Sequence, residues 1–293
     1  MNKETPLNRM SVANRFRFYL KHPVSFLLFL GTCFAAMLTL ATVLFIILYI
    51  LVNGIPYIKP SLFAWKYTSE NVSLLPAVIT TIQIILMTLL VSVPLGIATA
   101  IYLVEYAKRG NKLVEIIRIT AETLSGIPSI VYSLFGMLFF VTYLRFGFSI
   151  LSGSLTLAIM ILPLIIRSTE EALFAVSDTY REASFGLGAG KLRTVFRVVL
   201  PSAIPGIFAG IILAIGRIVG ESAALIYTAG TVAKIPNSIF SSGRTLAIHM
   251  YALSSEGFHI NEAYATAVVL LVVVLLINFV SSGIARRMRK DGK

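Results

Sequence analysis

Long apolar segments alternate with short polar ones along the chain. A helix needs about 20 apolar residues to cross the hydrocarbon core of a bilayer. Five segments approach or exceed that length, and a sixth is shorter but carries no charge. In chain order, the segments are residues 25–52, 74–104, 127–144, 150–166, 203–228 and 264–285. The pattern predicts an all-α, polytopic membrane protein with six transmembrane helices.

The first apolar segment is too long for the core of a cleaved signal peptide, which spans roughly 7–15 residues. No small-x-small cleavage pattern follows it, only NGIPYIKP. We therefore expect a retained first helix. The predicted organisation is an N-terminal arm over residues 1–24, a transmembrane domain over 25–285 and a basic tail over 286–293.

The composition supports this interpretation, since 57% of the residues are hydrophobic and 13% are charged, against roughly a quarter charged in soluble domains. The net charge of +12 suggests nucleic acid at first sight. However, 19 of the 25 basic residues fall on one side of a six-helix arrangement. Basic residues collect on the cytoplasmic side of membranes. The charge thus predicts a multi-pass protein of a bacterial cytoplasmic (inner) membrane with both termini cytoplasmic, and no nucleic-acid partner.

The outer connection 230–263 contains GRTLAIHMYAL, which has the spacing of a short helix lying at the surface. Its two histidines, His249 and His259, lie ten residues apart without a cysteine partner. We expect surface histidines there rather than a metal site.

The inner loop 167–201 contains FGLGAGKL, which resembles a phosphate-binding glycine loop. The pattern G-x-x-x-x-G-K-[ST] requires a glycine where Phe185 stands and a hydroxyl where Leu192 stands, so nucleotide binding is rejected. The chain also lacks H-E-x-x-H, a nucleophile elbow and paired histidines. We therefore expect no enzymatic site, no metal and no cofactor in this chain.

The same loop resembles the cytoplasmic EAA loop, E-A-A-x3-G-x9-I-x-L-P, of binding-protein-dependent ABC importer permeases. Ser184 and Val198 are its two mild departures from that motif. The resemblance implies a helix pair that couples to a separate ATPase subunit, and the alternative is a solvated surface helix. The residues assigned to coupling are Tyr180, Arg181, Glu182, Ala183, Gly188, Leu200 and Pro201.

Further stretches, PLGIATAIYLVEYA, LSGIPSIVYSLFG, LPLIIRSTEEAL and RIVGESAALIYTAG, resemble the A-type permease subunits of bacterial phosphate (Pst) importers from about residue 74 onward. The resemblance implies a type I ABC importer (MetI-like) permease fold and a pathway for inorganic phosphate. It also implies a sibling permease, two ATP-binding subunits that use ATP and Mg, and an extracytoplasmic phosphate-binding protein. The alternatives are another oxyanion, such as sulfate or molybdate, or a stand-alone channel or secondary carrier.

The last of these stretches places charge inside an apolar helix. At about 100° per residue, Arg217 and Glu221 share a face with Gly206 and Gly210 within roughly 80°. Gly216 and Gly220 lie on the adjacent flank with the same spacing. Small residues at this spacing let helices approach closely, so all four glycines are predicted to pack helices.

Two interpretations of the charged pair remain open. Arg217 and Glu221 neutralise each other and lock two helices, or Arg217 presents a donor fork to an oxyanion while Glu221 holds it in the absence of the anion. In the second case Glu221 also accepts a proton from phosphate. Arg167 forms either a second step of this path or a cytoplasmic topology signal.

Overall fold

The computed structural model describes residues 23–108 and 110–291. Most of the predicted N-terminal arm and the last two residues of the tail lie outside the described residues. The described part of the chain is helical and contains no strand, so the predicted all-α fold is confirmed.

Eleven α-helices form in the described ranges. They are α1 Pro23–Gly54, α2 Leu75–Ile101, α3 Lys112–Ser125, α4 Ser129–Gly136, α5 Ile150–Phe174, α6 Asp178–Gly186, α7 Lys191–Thr194, α8 Leu200–Val219, α9 Ala223–Ile226, α10 Leu246–Glu256 and α11 Ile260–Asp291. Three π turns extend or join them: Tyr102–Tyr106 after α2, Met137–Tyr143 after α4 and Val195–Val199 between α7 and α8.

Five of these helical stretches are long and apolar enough to cross a membrane. The remaining predicted span, 127–144, is the second half of a bent pair, in which Lys112–Ser125 and Ser129–Tyr143 meet at 103°. Pro128 separates the two halves. Proline lacks an N–H and disfavours helical backbone at the preceding residue. The six predicted spans are therefore five continuous helices and one sharply bent pair.

The chain divides into two compact units, Met1–Val52 and Asn53–Lys293. The first unit contains most of α1, whose apolar side chains are largely exposed. Exposed apolar side chains on all sides of a long helix suit contact with lipid.

In the second unit α5 is the central helix, and it packs against α2, α3, α4 and α8. Its Leu157 and Ile161 are fully buried together with Ile84 of α2 and Ile218 of α8. Gly96 of α2 allows this packing, because a Cβ there would lie 2.6 Å from the Ile165 side chain.

One side of α10 is buried, which corrects the expected surface helix in part. Leu246, Ile248 and Leu253 have no exposed area, and the Leu246 N–H donates to the Thr81 hydroxyl of α2 over 2.9 Å. His249 is 1% exposed, so the expected surface position is wrong for this residue. The other side of the helix, with Tyr251 and residues 254–256, is exposed.

Burial is the main cause of a shift in the pKa of His249, which falls to about 3. The nearby Arg244 charge lowers the pKa further, while a hydrogen bond with the Val72 carbonyl opposes the shift. His249 is therefore neutral at physiological pH.

Candidate functional site

Helix α8 ends before the charged pair is complete. Gly220 follows the last helical residue, Val219, and Glu221 lies beyond it in the break before α9. Glycine is a poor helix former, and the Glu221 carboxylate accepts a hydrogen bond from the Ala224 N–H over 3.1 Å. The prediction of one continuous helix over 203–228 is therefore wrong, because Gly220 ends α8 and Glu221 caps the next helix.

Arg217 and Glu221 do not pair with each other. The ion pairs among the described residues do not include this one. Within the described ranges, the exposed Arg217 side chain has no hydrogen bond or ion pair. The expectation of a shared helix face and a self-neutralising pair is therefore wrong, since the two residues lie on different elements.

Arg217 instead lines a cavity of about 390 Å³ between α3, α5 and α8. Arg167 of α5 and Arg118 of α3 line the same cavity, together with Glu122 and Glu170. The structure thus brings together two of the three predicted pathway residues and adds Arg118. In the sequence Arg118 is only one of the 19 basic residues placed on one side of the membrane, although Arg118, Glu122 and Ser125 recur at helical spacing, which was the available signal.

The three arginines differ in their partners. Arg118 Nη2 lies 3.0 Å from Glu170 Oε1, and Arg167 Nε lies 3.1 Å from Glu171 Oε1. The Arg167–Glu171 pair is largely exposed, with 75% and 68% of the two side chains accessible. Exposed pairs contribute about 0–1 kcal/mol, so an anion can replace the carboxylate at low cost. Arg217 has no carboxylate partner within the described residues, so an anion can bind it without displacing one.

Arg217 also borders a second cavity of about 590 Å³, whose lining is mostly apolar. Leu213, Gly216 and Asn278 are among its lining residues. Arg217 thus stands at the boundary between an apolar space and one lined by charges. A guanidinium at such a boundary offers a planar set of donors to an oxyanion.

The four predicted packing glycines separate into two pairs. A Cβ at Gly206 would lie 2.6 Å from the Ala172 Cβ of α5, and one at Gly210 would overlap the Ser168 side chain. At Gly216 nothing lies within 4 Å, and at Gly220 only a carbonyl of the same helix does. The close helix approach is therefore at Gly206 and Gly210. Within the described part of this chain no helix packs against Gly216 or Gly220, so the predicted packing at these two glycines stays a prediction for contacts with another chain.

The inner loop forms the predicted helix pair, α6 and α7. Gly188 has a φ of +80° in the turn between them, a conformation that glycine adopts without strain. The Ser184 and Thr194 hydroxyls lie 2.8 Å apart and join the two helices. Ser184 is a departure from the EAA motif, and its hydroxyl provides this link.

One side of this loop is apolar and exposed. We define the loop surface as the exposed apolar side chains Tyr180, Phe185, Leu187 and Leu192. Glu182 and Ala183 are also exposed, and Pro201 lies in the first turn of α8. A group of exposed apolar side chains rimmed by polar residues marks an interaction surface.

Residues 92–291 match the family described as binding-protein-dependent transport system inner membrane component. The chain belongs to this family. It is therefore a permease component of an ABC importer and a multi-pass protein of the inner membrane.

Relatives of this permease agree with the assignment. The "Probable ABC transporter permease protein YqgI" of Bacillus subtilis is 35% identical over 267 residues, which cover 85% of this chain and 90% of that protein. The "Phosphate transport system permease protein PstA 2" of Mycobacterium bovis is 32% identical over 252 residues, covering 85% and 82%. The "Phosphate transport system permease protein PstA 1" of Mycobacterium tuberculosis strain H37Rv is 36% identical over 194 residues, covering 65% and 62%.

Solved transporters share the fold of this permease. A chain of a bacterial ABC transporter involved in alginate import superposes with a TM-score of 0.68 at 14% identity, over 92% of this chain and 99% of that one. A chain of the MetNI methionine ABC transporter gives 0.57 at 20% identity, over 73% and 94%. The fold is thus the MetI-like fold of type I ABC importer permeases.

Proposed function

We propose that this permease forms, with a sibling permease, the pathway through which an ATP-driven importer takes up inorganic phosphate. The observation that carries the proposal is the cavity in which Arg217 has no carboxylate partner while Arg118 and Arg167 lie in the same lining. The identity to phosphate permeases supports the choice of phosphate.

The anion passes from Arg217 to the two arginines near the cytoplasmic end of α5. Arg217 donates to two phosphate oxygens, which suits the planar fork of a guanidinium. The anion then displaces the exposed Glu171 from Arg167 and reaches Arg118. The carboxylates of Glu122 and Glu170 share this cavity. Their negative charge limits the affinity for phosphate and favours its release.

Glu221 has a different role in this proposal from the one expected. Its carboxylate holds the start of α9 through the Ala224 N–H. It therefore keeps α8 short, so that Arg217 lies in the last helical turn and borders the open space. Glu221 acts on the path by positioning Arg217 rather than by pairing with it.

The partners follow from the family and the loop. Two ATP-binding subunits use ATP and Mg, the loop surface seats in one of them, and an extracytoplasmic phosphate-binding protein delivers the anion. This chain is the transport subunit and has no ATPase site of its own. Both termini lie in the cytoplasm, as the basic residues indicate.

The test is uptake of phosphate by the purified complex in lipid vesicles, with the phosphate-binding protein outside the vesicles. We expect uptake of labelled phosphate that requires ATP and is not reduced by excess sulfate or molybdate. Stronger competition by sulfate or molybdate than by unlabelled phosphate would assign the permease to another oxyanion. Uptake that does not require ATP would make the protein a channel or a secondary carrier.

The orientation has its own test. In a variant without Cys33, a cysteine at Lys191 should resist an impermeant thiol reagent in intact cells, while one at Ser242 should react. Labelling at Lys191 from outside would contradict the proposed orientation.

A further inference from the structure

Arg181 lies in the loop assigned to ATPase coupling, but its side chain is largely buried. It is 14% exposed, whereas its neighbour Tyr180 is 59% exposed. Glu105, in the π turn after α2, is the main partner of Arg181. Glu105 Oε1 accepts from Arg181 Nε over 3.1 Å and from Nη2 over 2.8 Å. The coupling helix is thus tied to α2 by a largely buried ion pair.

The same guanidinium also binds the end of α5. Nη2 donates to the Leu173 carbonyl over 3.0 Å, and Nη1 donates to the Val176 carbonyl over 2.8 Å. The last carbonyls of a helix have no partners within it, and a cation at this end also interacts favourably with the helix dipole. Nη1 donates in addition to Asp178, whose side chain is 85% exposed.

One side chain therefore connects three elements: α6, the end of α5 and the turn after α2. Lysine cannot replace these contacts, because its ammonium lacks the fixed fork of the guanidinium. Arg181 also lines a cavity of about 800 Å³ between α3 and α6, together with Glu105 and Arg118.

Two of the three elements that Arg181 joins contribute to the cavity lined by Arg118, Arg167 and Arg217, which we call the anion cavity. α5 carries Arg167 and Glu170, and the turn after α2 contributes Leu103. A displacement of α6 is transmitted through Arg181 to both of these walls. The side chains of the loop surface stay exposed and can bind another protein.

We propose that Arg181 is a positioning residue that couples the loop to the anion cavity, with Glu105 and the last carbonyls of α5 as its partners. The inference rests on the proposed function for the direction of transport, but the mechanical link does not depend on the identity of the anion. Arg181 transmits movement and does not itself contact the ATPase subunit.

The experiment uses the complete reconstituted complex in a background with Cys33→Ser, which removes the only cysteine, and Ser125→Cys, which places a thiol in the lining of the anion cavity. Three quantities are measured: retention of the ATPase subunits, ATP hydrolysis with phosphate uptake, and the change in thiol reactivity at position 125 when ATP and vanadate are added. The third quantity reports cavity movement and needs no assumption about the substrate.

The variants are Arg181→Lys, which keeps a charge beside Glu105, and Arg181→Gln with Glu105→Gln, which leaves no lone buried charge. The controls are Asp178→Asn, which removes only the exposed contact, and Arg145→Gln, which removes an exposed arginine outside the loop. Both controls should behave like the parent complex.

We expect both Arg181 variants to retain the ATPase subunits and to hydrolyse ATP, while phosphate uptake per ATP falls about tenfold, a typical size for residues that couple distant sites. The nucleotide-dependent change at position 125 should disappear. Normal uptake, loss of the ATPase subunits, or absence of both variants from the membrane would overturn the proposal. A parent complex whose thiol responds to ATP but which does not take up phosphate would refute the proposed substrate and leave the link intact.

Discussion

The two ends of helix α8 share a glycine spacing but differ in what surrounds them. At the N-terminal end, Gly206 and Gly210 let α5 approach so closely that a methyl group would collide with it. At the other end, Gly216 borders open space, and Arg217 has no hydrogen bond or ion pair within the described ranges. The glycine side of α8 is therefore packed at one end and open at the other.

This difference shows that a glycine motif allows two helices to pack closely but does not by itself establish that they do. Glycines four residues apart leave one side of a helix without side chains, so that another helix can approach its backbone. Close packing forms only where a neighbouring helix crosses at that side. Ser168 and Ala172 of α5 meet the first glycine pair. The second pair flanks Arg217, and no neighbouring side chain packs against it within the described residues.

We expect the largest effect on phosphate uptake at the C-terminal end of α8, where Arg217 lies. Arg217→Gln should lower phosphate uptake by about 10- to 100-fold, because hydrogen bonds to charged groups contribute about 1.5–3 kcal/mol. The complex should assemble and melt as the parent does, since no ion pair is lost. Uptake by vesicles and thermal melting of the detergent-solubilised complex measure the two effects.

Arg145→Gln provides the control for Arg217→Gln, because it also removes an exposed arginine but lies outside the cavity and outside the loop. Equal uptake by the two variants would remove Arg217 from the path. A large drop in melting temperature for Arg217→Gln alone would show that the arginine is structural.

We expect the next largest effect, on stability, at the N-terminal end of α8, where Gly210 contacts α5. Gly210→Ala should destabilise the protein by about 1–3 kcal/mol, the usual cost of overpacking, because its Cβ overlaps the Ser168 side chain. Melting of the purified permease measures the loss. The double variant with Ser168→Gly should recover most of it, and no recovery would place the strain elsewhere.

A smaller effect is expected at the break after α8. Glu221→Gln removes the charge from the hydrogen bond with the Ala224 N–H, and losses at helix caps are typically about 1 kcal/mol. We expect a small loss of stability and a decrease in uptake well below that of Arg217→Gln. A decrease equal to that of Arg217→Gln would restore Glu221 to direct contact with the anion.

The smallest effect is expected at Gly216. Gly216→Ala meets no neighbour within 4 Å and should stabilise the helix by up to about 1 kcal/mol, since alanine is the better helix former. The melting temperature should stay the same or rise slightly. A decrease comparable to that of Gly210→Ala would mean that both ends of α8 are packed alike.

The sequence predicts the spans and the inner loop well, because long apolar runs and a fixed glycine offset are local signals. It also places Arg217 and Arg167 among the candidates. It does not show that Arg118 joins them, since this depends on how α3 lies against α5. The break after Val219 was missed because the apolar run resumes at Ala223, only three residues after the backbone turns at Gly220.

The buried His249 and the inward-facing Arg181 were missed for the same reason. For both residues, the local sequence predicts an exposed position because each is polar and lies in a connection between apolar segments. Their environments come from distant parts of the chain: Val72 and Arg244 for the histidine, and Glu105 for the arginine. Such contacts become visible only once the helices are packed.

The three π turns have an evolutionary consequence. Each turn closes hydrogen bonds over one residue more than an α turn, so it absorbs a single inserted residue without rotating the helix on either side. Val195–Val199 separates the loop from α8 in this way. Relatives can therefore differ in length by one residue there while Gly210 and Arg217 keep their faces, and single-residue gaps in alignments belong in these turns.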